Sequence, residues 1–273
     1  MRHEADFMTE NFPNILIFGC GNMGGAMLRG WLAAGVAPQH FTAIDPVASN
    51  LPEGVALHRS AAKLDRKFDV MLLGIKPQML AALAPEIAPL LAPGAILISI
   101  LAGSPSSALS THFPDACIVR LMPNLAVAIG KSPLGLFSSN ADEEVCAEIE
   151  IMLSPLGTPI WLTDEAQMDA VTALAGSGPA FVYRFVDALA QGGVAAGLAP
   201  EIAARLALSM VEGAALLASA SSESPAELAA RVTSPGGTTA AGLAVLDKDA
   251  ALQNLIEETL CAARDRGAEL AEE

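Results

Sequence analysis

The sequence predicts an α/β protein: an N-terminal doubly wound parallel sheet followed by an all-helical domain. Three observations predict it. Short apolar runs alternate with helical stretches through the first half, a glycine-rich turn closes the first run, and strand signals give way to alanine- and leucine-rich helical sequence after residue 163.

The elements follow in order. Ile15-Leu16-Ile17-Phe18 is a short apolar run ended by glycine, the mark of a strand buried on both faces. A helix is expected over 23–34, closed by Gly35, and a second strand over 41–44 ends at Asp45-Pro46. A third strand over 70–75 ends at Lys76-Pro77, and a helix over 78–91 should break at Pro85 or Pro89. A strand over 95–100, a helix over 106–112, a strand over 117–121 and a strand-like stretch over 159–162 complete this half. Residues 1–13 are polar and read as a flexible lead-in, 14–163 as the sheet domain and 164–273 as the helical domain.

Gly19-Cys20-Gly21-Asn22-Met23-Gly24 matches G-x-G-x-x-G between the first strand and the first helix. Asp45 follows 21 residues after Gly24, at the end of the second strand. The glycines permit a tight turn, approach of a pyrophosphate to the backbone, and close helix–strand packing. This context predicts a Rossmann-type dinucleotide site. A carboxylate at Asp45 would accept hydrogen bonds from ribose hydroxyls and repel a 2′-phosphate, which favours NADH over NADPH. An outward-facing Asp-Pro turn is the plainer alternative.

In the second half, helical sequence over 164–196 is interrupted around Gly176-Ser177-Gly178-Pro179. Helices are expected over 200–220, 225–232 and 238–272. Leu206, Leu208, Met210, Val211, Leu216 and Leu217 surround the 200–220 helix rather than forming a stripe, so it belongs in a core or an interface. About 110 residues can hardly hide so many apolar faces alone, and an obligate dimer is expected.

Composition removes several function classes. The net charge of −15 offers no basic stripe for nucleic acid. Cys20, Cys117, Cys146 and Cys261 form no Cys-x-x-Cys pair, so neither zinc nor a redox dithiol is expected, and they read as reduced cytosolic thiols. The apolar region 88–102 is broken by Pro89, Pro93 and Gly94, and no signal segment is read at the start. A cytoplasmic protein acting on a small molecule, without membrane or nucleic-acid partners, is the expected class.

The second candidate site is Ser234-Pro235-Gly236-Gly237-Thr238-Thr239, where two glycines and two hydroxyls precede a helix. Free N–H groups at a helix N-terminus suit a small carboxylate. Ser234 or Thr238 could also cap the helix, which is compatible with binding. His3, His40, His58 and His112 all lie in the first half, and Lys248 is the one lysine of the helical half. In Gly176-Ser177-Gly178-Pro179-Ala180-Phe181-Val182, Val182 stands where 3-hydroxy acid dehydrogenases carry a catalytic lysine. A substrate that arrives already protonated, such as a cyclic iminium, needs no strong protein acid.

The stretch from Val232 to Asp247 resembles the C-terminal signature of the pyrroline-5-carboxylate reductase family. So do Phe18-Gly19-Cys20-Gly21-Asn22-Met23-Gly24, Gly74-Ile75-Lys76-Pro77-Gln78, Arg120-Leu121-Met122-Pro123-Asn124, Asp169-Ala170-Val171-Thr172 and Ala175-Gly176-Ser177-Gly178-Pro179-Ala180-Phe181. The resemblance implies reduction of 1-pyrroline-5-carboxylate to L-proline by NADPH or NADH, the last step of proline synthesis. It also implies an intertwined helical dimer, often built into decamers. Ser234, Gly237 and Thr238 would hold the substrate carboxylate, and the Thr239 hydroxyl would orient the ring nitrogen as the catalytic group. Phe18 to Gly24, Asp45, Gly74, Ile75, Lys76, Pro77, Ile100, Leu101, Ala102 and Glu165 would line the cofactor. Lys76 reads equally as a solvated lysine, and Arg120 as an internal ion-pair partner. Two departures stand out: Leu125-Ala126 where the family has Thr-Pro, and Leu101 where it has a small residue. They leave open reduction of another small cyclic imine, and a nucleotide-binding regulator without turnover is the alternative outside enzymes.

Overall fold

A computed structural model describes residues 12–49 and 51–272 of the chain. They form two compact units, one of residues 12–176 with 264–272 and one of residues 177–263. The contact boundary thus lies at Gly176 and Ser177, later than the sequence boundary at 163. The flexible lead-in expected at residues 1–13 falls mostly outside the described residues. Phe12 is itself buried, edge-on to Trp31 at 6.4 Å and tilted on Phe41 at 5.9 Å.

The first unit is built on an eight-stranded sheet: β1 (Ile15–Phe18), β2 (Phe41–Ile44), β3 (Ala56–His58), β4 (Phe68–Leu73), β5 (Leu91–Ser99), β6 (Cys117–Met122), β7 (Ser132–Phe137) and β8 (Gly157–Trp161), in the order 3-2-1-4-5-6-7-8. All neighbours are parallel except β6 and β7. Its helices are α1 (Asn22–Ala33), α2 (Leu80–Ile87), α3 (Ser106–His112), α4 (Glu143–Leu153) and the short α5 (Met168–Val171).

Strand alternation divides the core in two. Ile15, Ile17, Val70, Leu72, Ile98 and Val119 face one layer with α1 and α4, where Trp31 is fully buried and its Nε1 donates to Met152 O at 2.8 Å. Leu16, Phe18, Met71, Leu73, Leu97 and Ile118 face the other, with α2 and α3. Both faces are covered, which is why these strands read as unbroken apolar runs rather than alternating ones.

Several elements differ from the sequence reading. β3, β7 and α4 were not anticipated: β3 has three residues, and β7 carries Pro133 and Gly135. Pro85 is accommodated inside α2, and the helix gives way to a 3₁₀ turn containing Pro89. The interruption near Gly176 is a π-helical turn, Thr172–Gly176.

The second unit holds α6 (Gly178–Ala195), α7 (Pro200–Ala220), α8 (Pro225–Arg231), α9 (Thr238–Leu246) and most of α10 (Ala251–Glu272). The continuous helix expected over 238–272 is broken, because Asp249 and Ala250 both adopt φ of 54°. Such left-handed geometry at residues other than glycine costs of order 1–3 kcal/mol each. α6 packs on α7, yet Tyr183 is 71% exposed, Leu208 61% and Leu217 65%. By length and composition α7 could cross a membrane, with a mean hydropathy of 1.5. It carries Glu201, Arg205 and Glu212, and a charge near the bilayer centre costs about 2.5–3.5 kcal/mol on insertion scales.

Helix α1 is seated through Gly30. A Cβ there would press on the Val127 carbonyl oxygen and meet Leu156 Cδ2 at 2.6 Å. Gly30→Ala is therefore expected to destabilise the protein by about 1–3 kcal/mol despite its better helix propensity, read from the urea midpoint.

Candidate functional site

Residues 18–24 form the turn between β1 and α1. Gly19 has φ of +92°, its N–H donates to Ile44 O at 3.0 Å, and Gly74 N–H donates to Phe18 O at 2.8 Å. A Cβ on Gly19 would collide with the Gly74 carbonyl group, and one on Gly24 with the Gly19 carbonyl oxygen. Around Gly21, by contrast, a Cβ would find nothing within 4 Å. Gly21 is the N-cap of α1 without a side-chain cap, and the first turn of α1 carries no acidic residue. The N–H groups opening α1 have no side-chain cap, the backbone at Gly21 is open to approach, and the helix start carries partial positive charge. That cradle fits the pyrophosphate of a dinucleotide.

Asp45 stands at the end of β2, but its carboxylate is turned onto the backbone. Oδ2 accepts from Cys20 N at 2.9 Å, and Oδ1 from Val47 N and Ala48 N at 2.8 Å each. Burial pushes this carboxyl up, but the three N–H bonds and the nearby Arg59 charge outweigh it and hold it below the ordinary value. Cys20, in the variable position of the motif, has its thiol pushed up to about 11 by burial and by the Asp45 charge.

Beside this turn lies a cavity of about 240 Å³, lined by Phe18, Gly19, Ile44, Ile75 and Leu83 among others, with Arg59 and Ser60 contributed from the end of β3. Arg59, Ser60, Met79 and Leu83 are not among the residues the sequence pointed to; the three-residue strand leading to Arg59 carries no pattern that announces it. Ile100 packs against Gly74, where an added Cβ would lie 3.2 Å from its Cδ1. Lys76 and Pro77 are exposed, and no ion pair to Lys76 occurs among the described residues. Ala102 is also exposed, whereas Leu101 is buried with the α2–α3 layer, so it can offer a cofactor only its backbone.

Glu165 was expected to line the cofactor. Its Oε1 instead accepts from Ser106 N at 2.7 Å, Ser106 Oγ at 2.8 Å and Arg120 Nη1 at 2.9 Å. Burial raises this carboxyl, while the Ser106 and Arg120 bonds lower it further, with a net shift below its usual range. Arg120 is the internal ion-pair partner the sequence suggested. Asn124 has an equally local role: its side chain caps the turn after β6 and its Nδ2 donates to Ala175 O at 2.9 Å.

In the second unit, Ser234, Gly237, Thr238 and Thr239 are brought together. Gly236 has φ of +72°, and Gly237 N–H donates to Ser234 O at 3.0 Å. A Cβ on Gly237 would meet Ser234 Oγ at 2.5 Å. α9 starts at Thr238 with Gly237 as N-cap, no side-chain cap and no acid in its first turn. The hydroxyls of Ser234, Thr238 and Thr239 have no protein partner among the described residues. One short turn therefore presents three hydroxyls and a free helix start, the donor set a carboxylate requires.

Residues 165–270 match the family model for pyrroline-5-carboxylate reductase dimerisation. The chain is 37% identical over 268 residues to a pyrroline-5-carboxylate reductase of Pseudomonas aeruginosa, covering 96% of this chain and 98% of that protein. The chain belongs to the pyrroline-5-carboxylate reductase family. Another member, from Synechocystis, is 40% identical over 206 residues, covering 74% of this chain and 75% of the relative. Among solved structures, the pyrroline-5-carboxylate reductase of Coxiella burnetii superposes with a TM-score of 0.88 at 30% identity, covering 94% of this chain and 98% of that one. The Plasmodium falciparum reductase, solved with NADP bound, gives 0.81 at 26% identity, covering 95% and 98%. Residues 14–103 also match a model described as NADP oxidoreductase, coenzyme F420-dependent. Two segments that resemble this family's signatures, the glycine turn and Ser234 to Thr239, each lead into a helix start with no side-chain cap and no acid in its first turn.

A carboxyl whose folded value is depressed stabilises the fold above its unfolded value of about 4, and that stability is lost as pH falls through the folded value. Asp45→Asn is therefore expected to lower stability by about 1–3 kcal/mol near neutral pH, because an amide cannot accept all three N–H bonds. The deficit against wild type should shrink as pH falls below the unfolded value of about 4 towards the lower value of the native carboxyl. Urea midpoints across pH check both the size and the sign.

Proposed function

We propose that this chain reduces 1-pyrroline-5-carboxylate to L-proline with NAD(P)H, closing proline synthesis. The observation that carries the reading is the Ser234–Thr239 turn, with its three partner-free hydroxyls at an uncapped helix start. Its family membership supports the substrate, and the open end of α1 supports a dinucleotide.

The chain's own part in the reaction is positioning and electrostatics. The substrate carboxylate binds the Thr238 N–H and the Ser234 hydroxyl, while the Gly237 N–H, engaged by Ser234 O, shapes the turn that presents them. The Thr239 hydroxyl hydrogen-bonds the ring nitrogen, which fixes the face of the C=N bond that reacts. The nicotinamide, when bound, supplies the hydride that adds to the C=N carbon. The iminium already carries the proton that stays on nitrogen in the product, so no strong acid is needed beside Thr239. Residues 14–163 serve the cofactor in this reading, and 164–273 serve substrate and assembly.

The exposed apolar side chains of α6 and α7 support assembly through the helical unit, as a dimer in the first instance. Extension to a decamer rests on the family resemblance alone. Four free thiols support a reducing, cytoplasmic setting. A second reading, another small cyclic imine, is favoured by Leu125, which is 60% exposed in the turn after β6. A panel of cyclic imines, with and without a carboxylate, separates the two.

Thr239→Ala is expected to lower kcat/KM at least about tenfold, near 1.4 kcal/mol of transition-state interaction, while Thr239→Ser retains most of it. Steady-state kinetics with pyrroline-5-carboxylate checks this, and unchanged kinetics in the alanine variant would remove Thr239 from the mechanism. Light scattering at micromolar concentration should return at least twice the 28.0 kDa chain mass. A monomer would end the assembly proposal.

A further inference from the structure

We propose that a cavity at the amino ends of β4, β5 and β6 binds a free α-amino acid with an apolar side chain, its carboxylate met by Lys67 and its ammonium by Asp115. The site shares no residue with the two candidate sites above and does not depend on the proposed reaction.

The cavity arises from an irregularity in the sheet. Phe68 of β4 pairs with Leu91 of β5, but the next matched pair is Val70 with Ile96. The chain from Ala92 to Ala95 therefore leaves the ladder, and Gly94 turns it with a φ of +73°. Beside this excursion lies a cavity of about 610 Å³. Its other walls come from Ala88 and Pro89 after α2, and from the segment Phe113 to Ala116 that leads into β6. Small-molecule sites have this size. From Gly94, β5 runs on to Ser99, roughly 17 Å at about 3.3 Å per residue, so the cavity lies at the far end of the sheet from the glycine turn.

The charges at the cavity point to its ligand. Among the lining residues Lys67 is the one cation and Asp115 the one acid. No ion pair joins them among the described residues. Lys67 Nζ donates to Pro89 O, which holds the ammonium at the wall and leaves its other N–H donors unused. The Asp115 carboxylate has no donor among the described residues. A ligand with one charge would satisfy one of these side chains, whereas a zwitterion satisfies both. The chain's net charge of −15 repels a free anion but not a ligand whose charges cancel.

The rest of the lining suits an apolar body. Phe113 and Ala116 are buried, and Leu91 is half-buried. Pro89, Pro93 and Pro114 fix their own φ, so the wall is preformed and needs little ordering on binding. They also lack N–H groups, which leaves the Lys67 ammonium to receive the carboxylate.

Isothermal titration of the full chain tests this. The ligands are L-leucine and L-phenylalanine, with isocaproate (leucine without its ammonium) and isoamylamine (leucine without its carboxylate). At least one of the two amino acids is expected to bind with a Kd of about 1 mM or lower, and each one-charge analogue at least tenfold more weakly. Lys67→Met and Asp115→Asn, both at exposed positions, should each weaken amino-acid binding tenfold or more. Ser234→Ala, in the candidate substrate turn, should change it less than twofold. Absence of binding by both amino acids up to about 10 mM would overturn the proposal. So would unchanged binding in either cavity variant, or equal binding of leucine and its one-charge analogues. Loss of binding in Ser234→Ala but not in Lys67→Met would assign the amino acid to the substrate turn and overturn it as well.

Discussion

The carboxylate of Asp45 is the constraint on which the cofactor side of the structure depends. It bonds the backbone of residue 20 on one side and of residues 47 and 48 on the other, tying the turn after β1 to the turn after β2. The glycine turn is also bonded into both neighbouring strand ends, through Gly19 to Ile44 and Phe18 to Gly74. Such a tightly held turn can be built only where Gly19 and Gly24 lack side chains. The result is a turn fixed by backbone bonds before the first turn of α1, whose start has no side-chain cap.

The fold was legible where its signal was local and strong. β1, β2, β4 and β6 were readable because burial on both faces leaves continuous apolar runs. β3 was not, since three half-exposed residues at the sheet edge carry no pattern. β7 hid behind Pro133 and Gly135. The break at Asp249 has no sequence signal, because an alanine follows it and neither residue normally ends a helix by turning left-handed. On the site side, the segment Ser234 to Thr239 could be read directly, as its geometry is made within six neighbouring residues. Spacing put Asp45, and the family resemblance Glu165, among the cofactor contacts, but neither says where an oxygen points. Both carboxylates turned out to be engaged by backbone and side-chain donors of their own unit. Arg59 was invisible for the related reason that its place depends on a strand the sequence does not announce.

The helical unit poses a different physical problem. Helices α6 and α7 bury little of their apolar surface against each other, and each large side chain left in water forgoes about 1.5–3 kcal/mol of burial. A chain carrying several such residues gains more from a second copy than from any rearrangement of its own. Arg205 and Glu212 on α7 keep that surface from being wholly apolar, which favours a specific protein partner over nonspecific collapse.

The thiol of Cys20 sits in the glycine turn, where burial first, and the carboxylate that braces the turn second, keep the sulfur protonated. With its pKa pushed up to about 11, the group stays a thiol at neutral pH. Peroxides and electrophiles react with the thiolate, so the loop holds a cysteine that oxidants pass over.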